Sequence, residues 1–597
     1  ANVDPVRVGI RLAFVVMALV VIGWDLPSSF SWENDGVAPR DIFAGVAENL
    51  RPGHAFRYPL LHPLLLGLLC LPVLLPAALR AASWEFVDLR AALLTPAVMT
   101  PCALIGRMVA VMAAVIALAA LGRITERLAG RRAARWAEAF AATNISFAYY
   151  GHATNLDGPA LMWSVLAVEA LLAACTRARR GDLIRCALFA AASVATKDQA
   201  YATYVLLVPG VLLLRRWRPS VFAAEAWTAR AGARAAAMGA VAYLVTSGAA
   251  FNPAGLITRV RTLLGPASGA YRLYETGGRG VLANLADVLG QQGQTFWPWP
   301  VVALAWAGVA GTLIKVARGG SANETRKVIT KAITPAVWRL LPLGAGFSAL
   351  AAFVLAVGRN EHRFVLPLGF WLAFYAGVAA ATAFDRARST LATAFVRGAG
   401  VALLASAMVP VIALAATQRG DGRRAVEAWL QRLPASATVE TYGPLVYLPR
   451  FDAAGATPYR LVRVGPDPLA GRNPLLGMNE IQGAIAAVAR RRPDVVIITE
   501  GFATPYLADA DSDSDQPRSG RILPAVWRQA RADSAVTTFV RDAVAGRLPD
   551  YQIRVAGPSL PPWLPGEPRQ IHASTGLRTW LLVRRDSAAA VAAGDIY

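Results

Sequence analysis

Residues Val6–Trp24 read VRVGIRLAFVVMALVVIGW, apolar at every position but Arg7 and Arg11. As a helix, a run of this length spans the ~30 Å hydrocarbon layer of a bilayer. No small-residue cleavage site follows it, so it reads as a retained first transmembrane helix rather than a removed signal peptide. The signal repeats outward from there, at Arg107–Leu121, Trp136–Tyr150, Ala160–Thr176, Leu183–Thr196, Tyr201–Leu214, Ala235–Phe251, Trp297–Val316, Val337–Val357, Phe364–Phe384 and Gly398–Ala416. The pattern predicts a polytopic α-helical membrane protein of about eleven spans.

Composition agrees. Of 597 residues, 55% are hydrophobic and only 16% charged, against ~25% charged in an average soluble protein. With a mean hydropathy of +0.42, a disordered chain, a collagen and an ordinary water-soluble enzyme are excluded. Four cysteines (Cys70, Cys102, Cys175, Cys186) are too few for a disulfide scaffold. The net charge of +22 does not point to nucleic acid, because the basic residues sit between apolar runs and fit the positive-inside pattern.

That pattern orients the chain. Arg123–Arg135, Arg177–Arg180, Arg215–Arg218, Lys315–Lys331 and Arg386–Arg388 are basic connections, expected in the cytoplasm. The opposite connections, and everything after Thr417, are then expected on the outside. Parity makes His62–Leu79, though apolar enough to cross, a juxtamembrane or re-entrant segment; the alternative is an extra crossing with a broken helix near Pro96–Pro101. A domain boundary is placed near Gln418, giving a membrane domain over 1–417 and an outer domain over 418–597.

Ionisable residues collect in the outer connections. SWENDG holds Glu33 and Asp35; GHAFRYPLLHP holds His54, Arg57, Tyr58 and His62; YYGHATNLDGP holds His152 and Asp157. ATKDQAY holds Lys197 and Asp198, and GRNEHRF holds Arg359, Glu361, His362 and Arg363. Each has a plain structural reading: Glu33, Asp35 and Asp157 as helix-start residues, His62 as a helix cap, Lys197 and Arg363 as boundary anchors. Their joint occurrence on one face is what points to function, since polar groups near hydrocarbon are costly.

These clusters, in this order, resemble the GT-C integral-membrane glycosyltransferases, in particular the family 39 group of protein O-mannosyltransferases and aminoarabinose transferases. WENDG stands where the family's acidic motif follows the first span, although it is Glu-Asn-Asp rather than Asp-Glu. YPLLHPLLLGLL is similar to its His-Pro segment, NLDGPALMW to its Leu-Asp-x-Pro start, and TKDQAY to its Lys at the outer end of a span. The Arg-Phe-x-x-Pro of NEHRFVLPL resembles a motif of related mannosyltransferases. The likeness covers roughly residues 7–416.

The resemblance implies a transferase that moves a sugar from a polyprenyl-phosphate donor to an acceptor hydroxyl at the outer, periplasmic face of a bacterial inner membrane. A base must take the acceptor's proton and cations must hold the leaving phosphate. Asp35 is the expected base, with Glu33 the alternative. Lys197 and Arg363 are expected at the phosphate, supported by Arg57 and Arg359; His62, Asp157, Tyr58, Asp198, Glu361 and His362 are expected around sugar or acceptor. A single carboxylate without a covalent intermediate predicts inversion. The acceptor is left open between lipid, glycan and protein; membrane lipids are expected partners and nucleic acid is not. A divalent metal on Glu33, Asp35, His62 and His152 is an open alternative, although no tight ligand spacing supports it. A transporter or flippase of lipid-linked sugars and a glycan ligase are the rival functions.

The tail alternates strand-like and helix-like runs. Thr438–Tyr442, Arg460–Val464, Asp494–Glu500, Tyr551–Ala556 and Arg578–Arg584 read as strands; Ala425–Leu433, Glu480–Arg490 and Ser534–Leu548 read as helices. This predicts an α/β domain with a mostly parallel sheet. Its DADSDSD run reads as a solvated acidic loop rather than a calcium loop.

Overall fold

The structure is a computed structural model and describes residues 4–33, 39–44, 51–54, 58–177, 179–222, 227–264, 269–319, 337–453, 457–465, 475, 477–507, 521–564, 575–587 and 589. A helical bundle carries a C-terminal α/β layer. The main helices are α1 (Pro5–Val21), α2 (Leu61–Leu79), α3 (Pro96–Ala142), α4 (Ile145–Tyr150), α5 (Asp157–Thr176), α6 (Arg180–Thr196), α7 (Leu207–Trp217), α8 (Ala229–Thr246), α9 (Trp299–Gly319), α10 (Leu340–Ala351), α11 (His362–Arg386) and α12 (Thr390–Arg419). Seven of the described helices are long and apolar enough to cross a membrane. Their outward faces expose Leu68, Met112, Leu313, Leu391 and Val401, which makes the chain an integral membrane protein.

Ion pairs mark the two ends of the bundle. At one end Asp4 caps α1 and accepts from Arg131 at 2.9 Å and Arg135 at 2.8 Å. Arg132 meets Asp385 there, and Arg339 Nε donates to the Leu128 carbonyl at 2.9 Å. Arg131, Arg132 and Arg135 of the first expected basic connection thus lie together at this end. At the other, Arg107 meets the turn after α1, Lys197 meets Asp157, and Gln418 meets His152. Residues 107–129 and 131–150 run as opposite passes, because α3 turns back at Gly130 (φ 86°, ψ 169°), a conformation open to glycine.

Several expected spans differ in detail. Arg107–Leu121 belongs to one helix beginning at Pro96, whose ring suits the first helical turn; a shorter helix (Phe86–Leu93) ends just before it, so the chain breaks at Leu94–Thr95 and is helical through Pro101. Tyr201–Leu214 is split between a 3-10 turn (Asp198–Tyr204) and α7. α2 is a continuous helix, long enough to cross. Yet Leu66 packs with Ile42 and Leu156, and Cys70 with Met99 and Cys102. It therefore lies along the stretch of α3 preceding Arg107, at the end away from Arg131.

The two arginines of the first span find a partner inside the bundle. Arg7 Nε and Arg11 Nε donate to opposite oxygens of the buried Glu138, at 2.6 and 2.9 Å. Gly122 makes room for that carboxylate, since a Cβ there would overlap Glu138 Oε1. An unpaired buried carboxylate would cost several kcal/mol, so these bonds decide whether α1 can pack on α3.

The tail forms a six-stranded sheet in the order β3-β2-β1-β4-β6-β5. The strands are β1 (Thr438–Thr441), β2 (Arg460–Val464), β3 (Met478–Ile481), β4 (Val495–Thr499), β5 (Tyr551–Ala556) and β6 (Thr579–Arg584). β1 to β4 pair in parallel and β6 runs antiparallel to both neighbours. The run Glu480–Arg490, expected as a helix, instead begins in β3 and becomes helical only at Val488–Arg491. The free edge of β2 explains this: its backbone groups need partners, and β3 supplies them through parallel pairing.

Candidate active site

Where α1 ends, the chain turns through Trp24 and Asp25 onto the end of the bundle opposite Arg131 and Arg135. Arg107, reaching from α3, joins two carboxylates: it donates to Asp25, and its Nε donates to Glu33 Oε1 at 2.8 Å. Asp25 also accepts from Trp32 N–H at 2.7 Å and Ser31 Oγ at 2.8 Å. Glu33 Oε2 accepts from the backbone N–H of Thr154 at 2.7 Å and from its hydroxyl. All three charged side chains are buried. Burial pushes the Asp25 carboxyl up, but the charge of Arg107 and the bonds it accepts hold it below its ordinary range. For Glu33, burial wins over the attraction of Arg107, and the charge of Asp25 adds to it, so its carboxyl stands above the usual range.

The tail clamps this knot. Trp32 is fully buried, and its indole donates to the Leu448 carbonyl at 2.8 Å. The Arg423 guanidinium lies 3.8 Å from the Trp32 ring centroid, and Arg450 lies 5.3 Å away. Asp421 and Glu427 fix those two arginines. A desolvated cation–π contact contributes about 2 kcal/mol, so the loop after α1 and the tail hold each other. Arg450 thus packs against the loop after α1.

A second patch forms where α5 begins and α6 ends. Lys197 Nζ donates to both oxygens of Asp157, at 2.7 and 2.6 Å. Arg363, in the first turn of α11, lines the same cavity as this pair, together with Gln199 and Ser164. Glu361 accepts from Arg363 at 2.7 Å and also pairs with Arg359. Beside them Asp198 accepts from Arg259 Nε at 2.6 Å, and the Arg259 guanidinium sits 5.6 Å from the Tyr58 ring centroid. Lys197, Arg259, Arg359 and Arg363 face Asp157, Asp198 and Glu361, leaving one positive charge among these residues. That balance, on short polar arms at a membrane boundary, suits a phosphate group.

Asp157, Lys197 and Arg363 come together; Arg359 and Glu361 adjoin them, as do Tyr58 and Asp198; His362 opens α11. Glu33 belongs to the other patch and has both oxygens engaged. His62 is buried near the start of α2, with Nε2 lacking a hydrogen-bond partner among the described residues. Asp35 and Arg57 lie outside the described residues, as does the DADSDSD run. Among the described residues no three His, Cys, Asp or Glu side chains converge to hold a metal.

Asp25, Arg107 and Arg259 were not singled out as site residues. Arg107 carried a signal, as a lone cation in an apolar helix, which needs a buried partner. Between the two patches lie Tyr149 and Tyr150, their ring centroids 5.0 Å apart, with Tyr149 also against His152 at 5.8 Å.

No family model matches the chain, and no curated protein matches it. Among solved structures, it is similar to ArnT from Cupriavidus metallidurans in the apo state, with 15% identity and a TM-score of 0.47, over 82% of this chain and 93% of that one. The same protein bound to undecaprenyl phosphate gives 14% identity and a TM-score of 0.45, over 83% and 93%. The archaeal oligosaccharyltransferase AglB from Archaeoglobus fulgidus, in complex with an inhibitory peptide and a dolichol-phosphate, gives 13% identity and a TM-score of 0.40, over 74% and 63%.

Proposed function

We propose that this chain is a GT-C-type glycosyltransferase that moves a sugar from a polyprenyl-phosphate donor to an acceptor hydroxyl at the outer face of a bacterial inner membrane. The observation that carries the reading is the meeting of Asp157, Lys197 and Arg363 in one cavity, at the bundle end opposite the basic connections. The orientation follows from the positive-inside pattern, which puts that end and the tail on the periplasmic side.

In this reading Lys197 and Arg363 receive the donor phosphate, Lys197 exchanging Asp157 for it, while Arg359 and Arg259 support from behind their carboxylates. Arg57 is assigned the same supporting role. Asp35 is the base. It takes the proton of the acceptor hydroxyl as that oxygen attacks the anomeric carbon. The bond from that carbon to the phosphate oxygen breaks, and the polyprenyl phosphate leaves with the electron pair, its charge met by the two cations. Attack opposite the leaving group inverts the anomeric centre. Glu33 is favoured less as the base, because Arg107 and Thr154 already occupy both its oxygens. Tyr58, Asp198, Glu361, His362 and His62 are assigned to sugar and acceptor positioning.

The test is release of polyprenyl phosphate from a polyprenyl-phosphate sugar by protein in nanodiscs, with the wild type compared with Lys197→Ala and Arg363→Ala. Loss of both turnover and undecaprenyl phosphate binding in the two variants supports the reading. Unchanged binding in both would overturn the phosphate assignment.

A further inference from the structure

A second cavity lies on the membrane-facing side of the bundle, between the outer halves of α1 and α12. It encloses about 160 Å³ and is walled by Phe14, Met17, Val21, Val411 and Ile412, with His152 and Gln418 at its polar end. Among the described residues that line it, none is charged. Val16, Val20 and Val409 on its flanks are exposed, as expected of residues facing lipid.

The polar end is the informative part. His152 Nδ1 lies 2.7 Å from the Ala148 carbonyl and must donate there. Burial holds this imidazole neutral, with its pKa lowered to about 4. Its Nε2 is therefore an acceptor, and the amide nitrogen of Gln418, 3.2 Å away, donates to it. The chain of donors fixes the Gln418 amide. Gln418 is among the residues that line the cleft, and its Oε1 is buried without a partner among the described residues. A buried amide oxygen left unmatched costs roughly 1–3 kcal/mol, so an apolar cleft ending in one asks for a ligand with a hydrogen-bond donor.

We propose that this cleft is a binding site for an uncharged, hydroxyl-bearing lipid, whose chain lies against Met17, Val21 and Ile412 and whose hydroxyl donates to Gln418 Oε1. An anionic headgroup does not fit, since among the described residues lining the cleft there is no cation and the unpartnered group is an acceptor. The open flank admits the ligand from the bilayer. The assignment is independent of the transfer reaction.

The probe is hexadecanol carrying a diazirine on its chain, compared with the methyl ether of the same compound, in phosphatidylcholine nanodiscs holding the full chain. Labelled peptides are mapped by mass spectrometry. Wild-type protein should be labelled within residues 14–21 and 411–418, with the alcohol favoured about five- to tenfold over the ether, the worth of one hydrogen bond to a buried acceptor. Gln418→Leu should erase the preference, and Met17→Trp should reduce labelling by both probes; the unfolding midpoint of each variant is measured alongside. Equal labelling by alcohol and ether in the wild type, or labelling elsewhere, would overturn the proposal. Protein that consumes a sugar-lipid yet shows equal labelling would lose this inference and keep the transfer reading.

Discussion

Arg107 Nε donates to Glu33 Oε1 at 2.8 Å while the same guanidinium holds Asp25, so one cation from α3 ties together both ends of the turn that follows α1. Removing it leaves two carboxylates buried against each other. Arg107→Leu should destabilise the protein by about 3–5 kcal/mol, the usual cost of breaking a buried ion pair on one side. Arg107→Lys should recover part of it, and Asp25→Asn added to Arg107→Leu should recover part as well. Thermal unfolding in micelles checks this; an unchanged midpoint for Arg107→Leu would remove the knot as a stabilising element.

The two carboxylates of the knot predict opposite pH behaviour. Glu33 stands above its ordinary value of 4.5, so its contribution to stability is full below that value and is lost as the pH rises through the raised one. Asp25 stands below its ordinary 3.8, so its contribution is present above that value and is lost as the pH falls through the depressed one. Glu33→Gln keeps an acceptor for Thr154 and cannot ionise. Its stability relative to wild type should therefore improve between about pH 5 and about pH 8. Unfolding midpoints at the two pH values decide it, and a constant difference would contradict the assignment to Glu33.

What could be read from the sequence follows from what physics makes local. The length of apolar runs such as Phe364–Phe384 suits membrane-spanning helices, and the short, β-branched run DVVIITE suits a buried strand, so length and residue type together assign each. Arg7 and Arg11 were visible as exceptions, but their partner Glu138 lies 131 and 127 residues away, which no local pattern encodes. Arg107 and Asp25 are 82 apart for the same reason. The motif MNEI gave no strand signal, since an edge strand is defined by the neighbour that needs it. In the candidate site, residue types announced themselves at the membrane boundary, while their sorting into two patches, one around Lys197 and one around Glu33, required the packing of α3, α5, α6 and α11.

The bidentate contact between Lys197 and Asp157 sets up a competition. If Lys197 is to hold the donor phosphate, Asp157 must give it up. Asp157→Asn removes the rival charge and should tighten undecaprenyl phosphate binding several-fold, while Lys197→Ala should weaken it about tenfold or more. The double variant should bind like Lys197→Ala, because the aspartate acts only through the lysine. Binding by a fluorescence or calorimetric titration in nanodiscs checks all three, and additive effects of the two substitutions would mean that Asp157 has a separate role.

Asp35 and Glu33 stand two positions apart, yet the chemistry available to each differs. Glu33 has one oxygen on Arg107 and the other on Thr154, so taking a proton there would cost the knot a charge-assisted bond. A base must have a lone pair directed at the acceptor hydroxyl, and a group so engaged meets that need poorly. Asp35→Asn should therefore lower transfer by about 10²–10⁴-fold, the ordinary contribution of a general base, with undecaprenyl phosphate binding and thermal stability unchanged. Glu33→Gln should leave turnover within about threefold of wild type, because Gln still accepts from Thr154. The stereochemistry of the product supplies an independent check, since one base and direct attack give inversion. A retained anomeric configuration, or full turnover in Asp35→Asn with loss in Glu33→Gln, would move the base from Asp35 and require the knot to open during catalysis.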